Sequence, residues 1–597
     1  MATDVEEWKA EVYGTDIREH VERFAEEGWA SIPDEERDAW FERFKWYGLY
    51  HQRAGQESYF MMRIGTPGGV LEPGQLRVVS EVAREYATGP VSNPEFGDAW
   101  ADFTTRQSIQ LHWIKVEDIV DVWDELESVG LSTVQACGDS WRNIVSCPVA
   151  GKDAHEHVDA LETVHEFQRE FKENDRYENM PRKWKVAVTG CREGCGQGDI
   201  NDLAFEPASK DGVEGYNVRV GGGLARNEPR LARDVDVFVP HEQAAVVADG
   251  MSALFEAYGN REDRYSARIK FLVDEWGPEK VRRVLQEEFV DFELQSAGEG
   301  FRESYSYNAG RDGDGHDDHV GVHPQADGRN YVGLNVLVGR MGVDDVLELA
   351  DLADEYGSGE VRLTQRQNVI VTDVADEDLD ELLAADLLDD YEPDPSPFMR
   401  GSIACTGTEF CSLSIVETKN RMVRYARHLR DTVSLPDEVE DFHVHLSGCT
   451  ASCAQPQIAD VSLRGMKTRK DGEPVEAFDL GLGGGLGENP RFADWVGERI
   501  PADEVPGAIA NLVDTYEEAR EGAETFRDFV ERHDEEELEA FVEPEETSYE
   551  DPMMHNTKRT WYPYADEDDM AASPAPTDGD GVPLDAGADD DAAPADD

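Results

Sequence analysis

Four of the eight cysteines in this 597-residue chain lie in two tight pairs, Cys405 and Cys411 in ACTGTEFC and Cys449 and Cys453 in GCTASC. The spacing is C-x5-C, then a gap, then C-x3-C. Thiolates gathered from two turns can hold an iron–sulfur cluster. Zinc on four cysteines is the plainer alternative, but structural zinc knuckles leave two to four residues between ligands, which C-x5-C exceeds. Unligated thiols are a third reading. Cys137, Cys147, Cys191 and Cys195 account for every other cysteine, so none is left for scattered core packing. In a large chain this usage favours metal or redox work over structural disulfides.

The scaffold that must hold these residues is a duplication. TTRQSIQL (104–111) returns as TQRQNVIV (364–371), an offset of 260. GCREGCGQGDINDLAF (190–205) returns as GCTASCAQPQIADVSL (448–463), an offset of 258. GGGLARNEPR (221–230) returns as GGGLGENPR (483–491), an offset of 262. Three blocks in one order at nearly one offset describe two fused halves rather than a solenoid. Within the halves the blocks predict mixed α+β structure. VRLTQRQNVIV (361–371) alternates apolar and polar residues, as a half-buried strand does. Val116, Ile119, Val120, Trp123 and Leu126 fall on one helical face, and Gly130 suits the end of that helix. SIVETKNRMVRYARHL, directly after Cys411, also reads as helix, which would seat Cys411 near a helix N-terminus.

Length predicts several domains. The formal net charge is −73, from 129 acidic and 56 basic residues. In molar salt the Debye length falls to about 3 Å, so such a surface tolerates its own repulsion. We read the acidity as a halophilic surface. Nucleic acid is not expected as a ligand, because phosphate binding needs basic patches. No apolar run approaches the roughly 20 residues of a membrane span, and the acidic N-terminus lacks the features of an export signal; a cytoplasmic protein is expected.

The residues around the cysteines carry a family likeness. ACTGTEFCSLSIVETK and SGCTASCAQPQIADVSL resemble the siroheme-containing nitrite and sulfite reductases. The match extends through MMRIGTPGG (61–69), TTRQSIQLHWI (104–114), PRKWK (181–185), GVHPQ (321–325) and both glycine loops, covering roughly residues 40 to 535 in order. The resemblance implies an α+β fold of two pseudo-symmetric halves. Each half would hold a ferredoxin-like α/β subdomain followed by a siroheme/Fe–S-type α+β subdomain. The expected divisions are an N-terminal extension (1–50), the first ferredoxin-like half-domain (51–130), and a first siroheme-pocket domain without a cluster (131–295). A linker (296–330) precedes the second ferredoxin-like half-domain (331–395) and the 4Fe–4S/siroheme-binding domain (396–543). An acidic, Asp/Ala/Pro-rich tail (544–597) is expected to be disordered.

The resemblance also implies the cofactors and roles. Cys405, Cys411, Cys449 and Cys453 would ligate a 4Fe–4S cluster, and Cys453 would bridge to the siroheme iron. The family's active-site cations fall on Arg63, Arg106, Lys183 and Lys185, and a strand reading points both lysines to one side. These would hold the anion and manage protons as oxygen leaves as water. The implied activity is six-electron assimilatory reduction of nitrite to ammonia with ferredoxin as donor, since the repeats leave no room for a flavin or nicotinamide domain. Sulfite reduction to sulfide is the alternative. Plant-type nitrite reductases carry Asn where this chain has Lys185, and the sulfite enzymes carry Lys.

Several other motifs have a blander reading. Cys191, Cys195 and Cys137 align with Cys449, Cys453 and Cys405, but the position matching Cys411 is Asn143. The N-terminal quartet is therefore expected to be a relic packed beside the siroheme pocket. The loops GGGLA (221–225) and GGGLG (483–487) could cradle anions through backbone N–H groups, the first being the one expected near siroheme. His316, His319 and His323 read as solvated linker histidines, and His155, His157 and His165 as the surface of an acidic helix.

Overall fold

The computed structural model describes residues 2–554 apart from 54–55, 57, 91, 173–174, 192–193, 226–227, 301–317, 437–438, 440–441, 488–489 and 523. The described residues form four sheets in a mixed α+β arrangement, and the two halves repeat each other as expected.

Two of the sheets are five-stranded and antiparallel. In the first, Leu49–His51, Tyr59–Ile64, Ile109–Lys115 and Trp100–Phe103 lie side by side, and the edge is closed by Arg340–Gly342 from the second half. In its counterpart, Gly321–Pro324, Asn330–Leu334, Val369–Val374 and Val361–Leu363 are closed by Val70–Leu71 from the first half. The halves thus exchange a strand each, and one continuous hydrophobic core runs through both sheets. The exchange depends on tight turns. A Cβ on Gly69 would lie 2.6 Å from the Leu363 carbonyl oxygen, and one on Gly339 would lie 2.4 Å from that of Phe103, so only glycine fits either corner. Helices Pro73–Tyr86 and Val343–Tyr356 follow the exchanged strands and pack together, with Arg77 bridging Asp351 and Asp354.

The other two sheets share a second topology. Val145–Ser146, Val186–Val188 and Leu203–Lys210 run parallel, and Val213–Val220 and Arg233–Pro240 continue antiparallel. Ser402–Ala404, Val444–Ser447, Val461–Lys470, Glu473–Leu482 and Asp494–Pro501 repeat that order. The halves meet where Gln197 and Gln455, both left-handed at φ 56° and 57°, exchange amide hydrogen bonds of 3.1 and 2.6 Å. Ile200, Leu224, Ile458 and Leu486 form a small apolar cluster between them.

The predicted helix is present as Ile119–Ser128, with Val122 rather than Val120 buried beside Ile119, Trp123 and Leu126. Gly130 follows it at φ 76°. Four expectations need correction. The run 361–371 is two strands, because Thr364 Oγ1 accepts from the N–H groups of Arg366 and Asn368 and turns the chain between them. The helix after Cys411 begins only at Lys419, so Cys411 sits in a turn and not at a helix N-terminus. The end of the expected linker, Gly321–Pro324, is a sheet strand. The expected tail also starts packed: Asp551 is buried against Arg421 at 2.7 Å, and residues 555–597 lie outside the described residues. Among the described residues, no helix is long and apolar enough to cross a membrane.

Candidate active site

The two hairpin tips carry the equivalent residues Arg106 and Arg366. In TTRQ, Thr104 Oγ1 accepts from the N–H groups of Arg106 and Ser108, which folds the tip and aims Arg106 out of the sheet. It enters a cavity of about 650 Å³ whose wall also includes Arg63, Lys183, Lys185 and all four C-terminal cysteines. The structure thus brings every sequence-predicted site residue to one cavity. Arg63, on Tyr59–Ile64, donates to the Cys137 sulfur at 3.1 Å and to Gln110 once that amide is turned to present its oxygen. Lys183 and Lys185 flank the buried Trp184, so both ammonium groups reach the same side.

The site is crowded with positive charge. Arg106 donates to Asn201 Oδ1 and to the Asn143 carbonyl, each at 2.7 Å, while its Nε is buried without a partner among the described residues. Burial and then the neighbouring Arg142 draw its guanidinium down to about 9. Burial, followed by Arg106, Lys183 and Arg268, holds Lys185 well below the usual lysine range. Burial, then Arg182, Arg268 and Arg142, does the same to Lys183. An assembly of this kind is completed by anions.

The cysteines face the cations across the cavity. Cys453 is exposed into it, and its backbone carbonyl accepts from Thr105 Oγ1 at 3.0 Å. Cys405 Sγ accepts from the Gly448 N–H at 3.2 Å. Burial, then Cys453, pushes the Cys405 thiol up to about 11 and the Cys411 thiol to about 12. Thiols so placed ligate only when metal cations draw their protons away. Among the described residues, the only three metal-ligating side-chain atoms found within 4.8 Å of one another belong to Cys147, Cys191 and Cys195. The C-terminal quartet is therefore spread wider than the donors of a single ion, as a cluster of several atoms requires. Four soft donors beside unneutralised cations and the unpartnered Arg106 Nε fit a 4Fe–4S cluster next to a polycarboxylate tetrapyrrole.

Sequence reasoning missed Arg142, Arg268 and Asn201 and read Asn143 only as the place of an absent cysteine; all four share the cavity. Asn143 donates to the carbonyls of Thr66, Arg106 and Gln107 and so fixes the arginine tip. Arg268 is held by Asp202 at 2.7 Å. Arg142 was adjacent to a residue already singled out, whereas nothing local marked Arg268. Of the glycine loops, the first reaches the cavity through Leu224 and Ala225. The N-terminal quartet divides: Cys137 joins Arg63, whereas Cys147, Cys191 and Cys195 cluster in the core of their own subdomain and not beside the cavity. His319 is buried and bonded to the Tyr331 hydroxyl at 3.2 Å, contrary to a solvated linker, and His323 bonds the Val320 carbonyl at 3.0 Å. His316 lies outside the described residues. His155 and His157 sit in turns before helix Ala160–Phe171, which carries only His165 of the three.

The nitrite and sulphite reductase 4Fe-4S domain family matches residues 137–291 and 396–549. The nitrite/sulfite reductase ferredoxin-like half domain matches 51–92, 94–129 and 323–385. The chain therefore belongs to the nitrite and sulfite reductase family, whose siroheme and 4Fe–4S cluster its cavity suits. It is 56% identical, over 96% of its length and 99% of the relative's, to an assimilatory ferredoxin-dependent nitrite reductase of Haloferax mediterranei. It is 36% identical to the ferredoxin–nitrite reductase of Synechococcus elongatus, over 85% of this chain and 95% of that one. The solved structure of the Mycobacterium tuberculosis NirA protein superposes with a TM-score of 0.79 at 32% identity, covering 89% of this chain and 97% of that one.

Proposed function

We propose that this chain is a cytoplasmic assimilatory nitrite reductase, converting nitrite to ammonia with six electrons from reduced ferredoxin. The observation that carries the reading is one cavity walled on one side by Arg63, Arg106, Lys183 and Lys185 and on the other by Cys405, Cys411, Cys449 and Cys453. In this reading the four cysteines would hold the cluster, and Cys453, which is exposed into the cavity, would serve the siroheme as well. When bound, the pair supplies single electrons and an iron that takes the substrate.

The protein's own part is electrostatic. Arg63 and Arg106 hold the anion's oxygens, where charge accumulates as the N–O bonds break. Lys183 and Lys185, whose ammonium protons are loosened by burial and then by the neighbouring cations, donate protons as each oxygen departs as water. Asn143 and Asn201 keep Arg106 at the working angle. A halophilic role matches the charge of −73.

A second reading, sulfite reduction, is favoured by Lys185 alone, the residue type the sulfite enzymes carry there. Steady-state turnover of nitrite and sulfite side by side, with reduced ferredoxin as donor, tests the choice. Nitrite is expected to have the higher kcat/KM; a higher value for sulfite overturns the assignment.

A further inference from the structure

We propose that Cys147, Cys191 and Cys195 form a second metal centre, a three-thiolate pocket for one thiophilic divalent ion, with zinc the best match. All three are nearly inaccessible to solvent, at 1, 2 and 5% exposure. Their sulfurs lie within 4.8 Å of one another. Zinc–sulfur bonds of about 2.3 Å in tetrahedral geometry separate sulfurs by about 3.8 Å, so a modest contraction closes the trio on one ion. The cage of a four-iron cluster needs a wider spread.

The local sequence supports a single ion. Cys191 and Cys195 are a C-x3-C knuckle, within the usual zinc range; Cys449 and Cys453 share that spacing, but the C-x5-C that joins them has no counterpart here, because Asn143 stands where Cys411 does. Cys147 replaces Asn143 as the third partner, four residues further on, and arrives on strand Val145–Ser146 beside Val186–Val188, the strand that leads to Cys191. Three sulfurs crowded in an apolar core among Val149, Tyr331 and Ile370 gain most from a cation that displaces their protons. Binding releases three protons and leaves one net negative charge with a divalent ion. A monovalent copper would leave two, which a dry core disfavours. The pocket lies in the half that lacks the cluster, so its ion takes no part in the electron path and braces the core of that subdomain.

The test is elemental analysis of the holoenzyme purified in metal-free buffer, with zinc K-edge absorption on the same sample. One zinc per chain with a sulfur shell at about 2.3 Å is expected. Cys195→Ser should lower zinc at least tenfold while iron stays near five per chain. Alkylation of denatured wild-type protein should find all three as thiols. Zinc absent after growth with added zinc, zinc bound only by nitrogen and oxygen, zinc retained in Cys195→Ser, two of the three sulfurs joined in a disulfide, or iron near eight per chain would each overturn the site. If Cys195→Ser does not fold, the absorption edge and alkylation of the wild type decide.

Discussion

Replacing Arg106 with methionine separates an anion-binding role from a structural one. Burial and then the neighbouring Arg142 bring the Arg106 guanidinium down to about 9. A fall of between three and four factors of ten, at about 1.4 kcal/mol each, means that burial first and the neighbouring cations second cost the charged guanidinium about 5 kcal/mol. The carboxylates of a bound tetrapyrrole share these cations, so that figure is an upper bound. Arg106→Met removes this strain but also deletes two charged hydrogen bonds of 2.7 Å, to Asn201 and the Asn143 carbonyl. Each such bond contributes about 1.5–3 kcal/mol. Gain and loss nearly cancel, so the urea midpoint should move by no more than about 1 kcal/mol equivalent. Turnover should not be spared: losing one preorganised donor to the developing charge lowers kcat/KM for nitrite by about 10²–10³. The assay is ferredoxin-driven nitrite consumption in molar salt, with urea melts on the same preparation. A stability loss above about 3 kcal/mol, with kcat/KM within about threefold of wild type, would make Arg106 a scaffold residue and refute the electrostatic reasoning.

Arg340, fully buried, donates to Asp102 at 2.6 and 2.9 Å and to Glu409 at 2.8 Å across the exchanged strand. Arg340→Leu takes the nearest cation from two buried carboxylates, leaving Asp102 only Lys419 at 3.7 Å and His112 at 3.2 Å, and should cost about 3–5 kcal/mol in urea unfolding. Glu417 is raised to about 7 by burial, against the pull of Arg421. The folded chain therefore holds this proton more tightly than the unfolded chain, and its contribution to stability falls as pH rises from about 4.5 to about 7, by up to about 3 kcal/mol. Glu417→Gln should accordingly be more stable than wild type at pH 8 and lose that advantage at pH 5, as read from urea midpoints. Cys453→Ser should abolish nitrite reduction and lower bound iron, and reduction left intact would end the shared-thiolate reading. Ferredoxin-driven turnover should hold or rise as salt approaches molar; a steady fall would mean that docking relies on unscreened attraction.

Much of this was legible because it is written twice. The repeated blocks announced two halves, and the family motifs pointed to Arg63, Arg106, Lys183, Lys185 and the four cysteines before any geometry placed them in one cavity. What local pattern could not convey was turning. VRLTQRQNVIV alternates like one strand, yet a threonine hydroxyl capturing two backbone N–H groups folds it at Arg366. Nor could pattern reveal exchange: Arg340–Gly342 completes a sheet more than 200 residues upstream because Gly339 can enter a corner that a side chain would block. Arg142 and Arg268 were hidden because an isolated arginine in an acidic protein looks like any surface cation until the cavity closes around it.

The same duplication explains why there is one active cavity and not two. Asp202 accepts from the Lys185 N–H at 2.9 Å, and its partner 258 residues on, Asp460, accepts from the His443 N–H at 2.9 Å. The backbone frame is conserved between halves, but the side chain it presents is not. Lys185 opens into the cavity, whereas His443 is fully buried, paired with Asp460 at 3.4 Å and hydrogen-bonded to Arg366. Arg366, the twin of Arg106, thus spends its charge on its own neighbours. The cysteines are divided in the opposite sense. Asn143 stands where Cys411 stands in the other half, and its amide binds the Arg106 tip instead of a metal. In the proposed function the substrate cations are therefore drawn from the first half and the cluster ligands from the second, and the cavity needs both halves for its wall. The contact between halves, through the Gln197–Gln455 pair and the exchanged strands, therefore sets how the cations of one half face the sulfurs of the other.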